Sequence, residues 1–153
     1  MSTLYAAFSY GTTALLTVGL ATLAVATVRA AGRNEADHRF LRAIREIETG
    51  NNPRAIGIDG EFTAYQFTRE TWRDYTNIDP VEALRNPLIA DGVAEDHLEF
   101  IRRQLRRAGL EASYYNAALA WNAGIGATIR GEARPTQHDY AKRVIHLMEA
   151  FRK

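Results

Sequence analysis

Glu48-Thr49-Gly50-Asn51-Asn52-Pro53 is the stretch on which the fold of this chain turns, and Gln66 follows its glutamate at 66 − 48 = 18 positions. Ahead of it Phe40, Leu41, Ile44 and Ile47 recur at helical spacing, so an amphipathic helix is predicted from about Glu35 to Thr49, with Asn34 and Asp37 as a capping pair. Gly50 suits the position just past a helix end and Pro53 resists continuation, which puts Glu48 in the last turn. From Ile56 to Gln66 the alternation of Ile56, Ile58 and Phe62, broken by Gly57 and Gly60, predicts a loop or small hairpin. A carboxylic acid ending an apolar-striped helix, faced by a polar residue that a tight loop returns, is a reasonable proton donor at neutral pH.

Beyond the loop the sequence reads as helices only. Thr68 caps one through about Tyr75, Asp79-Pro80 starts a short one, and Leu88 to Arg107 carries Ile89, Val93, Leu98, Ile101 and Leu105 ahead of Gly109. Another is expected from about Glu111 to Asn122. A last one begins at a capping pair, Thr136 and Asp139, with Tyr140, Val144, Leu147 and Phe151 on one face. The fold class is therefore all-α, preceded by an N-terminal hydrophobic segment.

Composition narrows the function. The 153 residues hold 19 basic and 18 acidic side chains, a net charge of +1, so no strong field announces a nucleic-acid partner and none is expected. With no cysteine there is no disulfide framework, thiolate nucleophile or cysteine zinc site. His38, His97, His138 and His146 lack a metal-ligand spacing, so neither metal nor cofactor is expected.

Residues 1–30 read as a transmembrane anchor or a signal segment, 31–34 as a linker and 35–153 as one domain. From Leu4 to Val28 no side chain carries a charge, a run long enough to cross a bilayer as a helix. Ala24-Val25-Ala26 suits a processing site, but no basic residue precedes the run, and a core helix of the domain is the third reading. Arg29 and Arg33 follow it, so the positive-inside bias would leave the domain cytoplasmic, in conflict with a substrate beyond the membrane.

The motif residues carry a resemblance. Glu48-Thr49-Gly50-Asn51-Asn52-Pro53, then Ala55, Gly60 and Gln66, is similar to the Glu-Ser-Gly-x-Asn-Pro, Ala, Gly, Gln pattern of the soluble lytic transglycosylases, which belong with the goose-type lysozymes. Ala120-Trp121-Asn122-Ala123-Gly124 resembles the family's Ala-Tyr-Asn-Ala-Gly, and Tyr140 its late tyrosine. The match spans about Phe40 to Leu147. It departs at Thr49 for serine, at Trp121 for tyrosine and at Thr63-Ala64-Tyr65, where Gly-Leu-Met is usual, so the loop shaping the cleft is altered.

The resemblance implies a lysozyme-like domain that cleaves peptidoglycan between N-acetylmuramic acid and N-acetylglucosamine. Glu48 is then the general acid and base, with Thr49, Gln66, Trp121, Asn122 and Tyr140 as substrate-binding candidates. One carboxylate suffices when the sugar's own 6-hydroxyl closes an anhydro ring; muramidase-type hydrolysis would recruit Asp59 or Glu61 to hold a water. Expected partners are the glycan strands and, through the N-terminal segment, a membrane of a cell envelope or virus particle. The rival is a membrane-anchored structural or assembly subunit that keeps the fold with little or no activity. Each residue has a plainer role: Glu48 as an exposed helix-end glutamate, Gln66 and Asn122 as loop ties, Tyr140 as core. Glu46, and the cluster Arg102, Arg103, Arg106 and Arg107, read as solvated, with an anionic polymer or headgroups as the cluster's other partner.

Overall fold

The computed structural model describes residues 35–152, and those from Asp37 onward belong to one compact unit. Among the described residues seven helices follow in order: α1 (35–49), α2 (Arg69–Arg73), α3 (Pro80–Arg85), α4 (Pro87–Arg107), α5 (Tyr114–Ala123), α6 (Ile125–Arg130) and α7 (Pro135–Ala150). Extended structure among the described residues is limited to two antiparallel bridges, Ile56 with Phe62 and Phe62 with Phe67, which close a small hairpin between α1 and α2.

Local chemistry accounts for the helix starts. Thr68, Asp79, Asn86 and Ser113 each accept a first-turn backbone N–H, and Pro80 and Pro87 occupy first positions where a missing N–H costs nothing. α5 starts at Tyr114, later than predicted, because Ser113 takes the cap. α7 starts at Pro135 with the Gln137 side chain accepting the Arg134 N–H at 2.8 Å. The expected Thr136/Asp139 cap is therefore corrected: proline's fixed φ sets the first turn earlier, and Asp139 pairs with Lys142 at 3.3 Å.

α5 is the central element. Ala117, Ala118, Leu119 and Ala120 are all buried in succession, as in a helix surrounded on every side, and their small side chains let α7 pack closely. Around it lie Phe40 and Ile44 of α1, Leu98, Ile101 and Leu105 of α4, and Val144 of α7. Trp72, 1% exposed, locks α2 into this core and donates its indole N–H to the Ile78 carbonyl at 2.8 Å. His97 is half-buried among the Phe67, Tyr75 and Trp121 rings, and desolvation there pulls its pKa down to about 4, so it sits there neutral.

The expected small hairpin is present, with Phe62 buried and Ile56 and Ile58 exposed at 70% and 101%. One expectation is corrected. Arg102 is not solvated: its guanidinium is buried and grips the Asp37 carboxylate with both terminal nitrogens, at 2.9 and 2.5 Å. Helix α6 was not predicted. The Asn34 cap and the N-terminal anchor or signal lie outside the described residues, and among the described residues no helix is long and apolar enough to cross a membrane.

Candidate active site

Glu48 sits in the last turn of α1, half-buried. The chain leaves the helix sharply there: Gly50 and Asn51 adopt φ of 62° and 63°, and their N–H groups return to the Glu46 and Arg45 carbonyls, both at 3.0 Å. The Thr49 hydroxyl lies 3.2 Å from the carbonyls of both Arg45 and Ala64 and accepts the Asn52 N–H at 3.1 Å. It therefore ties the helix end, the following loop and the hairpin together, a task that the serine of the resembled pattern could share.

The hairpin is wound tightly beside this turn. Thr63 and Gln66 have φ of 67° and 52°; with Asn51 they are the non-glycine residues of positive φ among the described residues, and all three lie in the two loops next to Glu48. Each such conformation costs about 1–3 kcal/mol, a strain that clusters at functional sites. The Gln66 side-chain nitrogen donates to the Thr63 carbonyl at 3.0 Å, so its oxygen is presented away from its own turn. That oxygen and Glu61 Oε2 both lie over Gly57: a Cβ there would stand 2.6 Å from one and 2.3 Å from the other, so a larger residue would make both side-chain ends swing aside.

Tyr140 reaches Glu48 from α7, its hydroxyl donating to Oε1 at 2.6 Å while its ring is 4% exposed. Burial is the largest influence on Glu48 and raises its pKa above the ordinary 4.5; the Tyr140 bond and the Arg143 charge pull it back, and Glu61 pushes it up again. The balance is upward, toward the protonated form. Tyr140 is itself raised well above 10 by burial and the adjoining carboxylate, so at neutral pH it keeps the proton that it donates to Glu48.

The structure thus joins Glu48 directly to Tyr140; Thr49 ends α1 and is tied to the hairpin, in which Gln66 lies. Trp121 is half-buried, its ring packed with Phe40, Tyr65, Phe67 and His97 in one aromatic cluster. Asn122 is exposed in the last turn of α5. Arg143 and Gly57 were missed. Arg143 was findable, because it stands three positions after Tyr140 on the same helix face. Gly57 was not, since its role is set by side chains four and nine positions away.

An all-α domain with a half-buried, tyrosine-bonded carboxylic acid at a helix end, beside a strained hairpin, is lysozyme-like. The chain belongs to the transglycosylase SLT domain family, which it matches over residues 26–144. That family is one of transglycosylases acting on peptidoglycan. Neither the curated proteins nor the solved structures give a match.

Proposed function

We propose that the chain is a peptidoglycan lytic transglycosylase that cleaves the bond between N-acetylmuramic acid and N-acetylglucosamine, with Glu48 as general acid and then base. The observation that carries this reading is the Tyr140 hydroxyl on Glu48 Oε1 at 2.6 Å, in a setting whose net effect favours the protonated acid. Because Tyr140 occupies Oε1 as a donor, the acid's proton belongs on Oε2, free for the leaving sugar oxygen. Glycosidic cleavage needs that proton, since an alkoxide leaving group is far too basic to depart unaided at neutral pH.

Once it has given the proton, Glu48 is a carboxylate held by the Tyr140 donor and near the Arg143 charge. It then takes the proton of the muramyl 6-hydroxyl as that oxygen attacks the anomeric carbon, closing an anhydro ring and restoring the acid. Thr49, Gln66, Trp121, Asn122 and Tyr140 are proposed to shape or contact the sugar-binding cleft, Thr49 by fixing the loops and Trp121 by backing them from the core. Glu61, close enough to act on Glu48 electrostatically, supports a hydrolytic variant in which it would hold a water.

Purified cell walls treated with the full-length chain test the reading: turbidity falls, and Glu48→Gln slows the fall by about 10²–10⁴-fold, the usual worth of a positioned acid–base group. Equal rates for the two proteins exclude Glu48 as the acid, and no loss of turbidity with either favours the structural role. Mass spectrometry of the fragments separates anhydro from hydrated ends. An envelope location follows from the substrate, and residues 1–30 are proposed as its anchor or export signal.

A further inference from the structure

The hairpin that carries Gln66 has little to hold it by itself. It closes on two isolated bridges, and a hairpin of that kind is marginal in water without outside support. One support comes from the end of α1, where the Thr49 hydroxyl meets the Ala64 carbonyl at 3.2 Å. The next residue supplies another. The Tyr65 hydroxyl donates to Asp91 Oδ1 of α4 at 2.7 Å, and Arg45 Nη1 of α1 donates to the same oxygen at 2.9 Å.

Asp91 thus joins three segments through one atom. Arg45 stands three positions before Glu48, on the same helix face, and its carbonyl accepts the Asn51 N–H in the turn that follows the acid. Tyr65 stands directly before Gln66, whose backbone is held at a φ of 52°. Two hollows of about 330 and 310 Å³ flank the junction, and each is lined by Arg45, Tyr65 and Asp91, so on this side polar bonds bridge the hairpin to α4 where packing is incomplete. The Tyr65 ring is 2% exposed and packs with Phe67 and Trp121, which leaves it little room to swing. Methionine, which the resembled pattern has at this position, carries no proton to donate, so the junction belongs to this chain.

We propose that Asp91 is a positioning residue for the cleavage: by holding Tyr65 and Arg45 on one oxygen it sets where Gln66 of the hairpin stands relative to Glu48 of α1. It acts through the hairpin and not by contact with the sugar. This rests on the reading that Glu48 is the acid. Asp91 is not among the groups that act on the Glu48 proton, so its effect is one of geometry. A misplacement of about 1 Å can cost about 10²-fold in rate, and loosening a hairpin that keeps its Thr49 tie is expected to cost about tenfold.

Steady-state kinetics of the full-length chain on soluble, uncross-linked glycan strands test this. Asp91→Ala and Tyr65→Phe should each lower kcat about tenfold with KM changed by less than about twofold, and the two together should cost no more than Asp91→Ala alone, because they cut the same bond. Asp91→Asn keeps an amide oxygen that accepts both donors and should hold kcat within about twofold of the parent. The alkaline limb of the pH profile stays in place throughout. Tyr65→Phe loses only a hydroxyl, so it reads the effect even where Asp91→Ala folds poorly. A merely structural tie would lower the melting point and spare kcat well below it. Unchanged kcat in both Asp91→Ala and Tyr65→Phe, Asp91→Asn as slow as Asp91→Ala, or a shifted limb overturns the proposal. A parent without turnover overturns the Glu48 reading and this one together, whereas an active parent indifferent to both substitutions overturns this one alone.

Discussion

Two carboxylates on α1, Asp37 and Glu48, lie eleven positions apart and within about 20° of each other around the helix, and each accepts a tyrosine hydroxyl from a helix behind it. Tyr114 gives Asp37 a bond of 2.7 Å and Tyr140 gives Glu48 one of 2.6 Å. What differs is the guanidinium. Asp37 also takes both terminal nitrogens of Arg102, whereas the cation near Glu48, Arg143, is exposed and lowers its pKa by less than burial raises it. The first arrangement makes an anchor between α1, α4 and α5; the second leaves an acid able to keep and give up a proton.

The comparison breaks most visibly in activity. Glu48→Gln is expected to cost about 10²–10⁴-fold in wall lysis, while Asp37→Asn keeps most turnover at temperatures where the protein stays folded. Stability reverses the order. Glu48→Gln replaces a half-buried acid whose folded pKa is raised, so the native state binds the proton more tightly than the unfolded chain and loses stability as pH rises through that window. The variant should therefore melt higher than the parent at pH 7 and alongside it well below pH 4.5, as calorimetry at the two pH values would read.

Arg102→Leu comes next, at roughly 3 kcal/mol of stability in urea unfolding, because it strands the Asp37 carboxylate among half-buried neighbours. Asp37→Asn added to it should recover part of the loss. Tyr140→Phe removes the bond that holds the Glu48 pKa down, so the alkaline limb of the lysis–pH profile moves to higher pH and the rate at neutral pH falls about tenfold. Tyr114→Phe is the matched control and should leave that limb in place. Smallest is Thr49→Val, about 1 kcal/mol from lost loop ties, seen as a melting point lower by about 4 °C.

Much of this was legible in the residues. The Phe40, Leu41, Ile44 stripe and the caps at Thr68 and Asp79 are local signals, and they located α1 to α3 because the physics that forms a helix start acts within a few positions. The place of Glu48 at the end of α1 was legible for a related reason: the turn after it needs Gly50, whose φ is positive. What escaped depends on partners far along the chain. Arg102 looks like one of four solvated arginines until α4 packs on α1 and finds Asp37, 65 positions away. Helix α6 is six residues long with Gly126 inside it, too short for periodicity to register. Trp121 joins an aromatic cluster drawn from four segments, which no spacing rule encodes.

The Glu48 carboxyl can be observed directly by carbon-13 NMR across a pH titration of the full-length chain. A midpoint above 4.5, rising further in Tyr140→Phe, is the result expected of a sheltered acid restrained by one hydroxyl. A midpoint at or below 4.5, unmoved by loss of that hydroxyl, would contradict it.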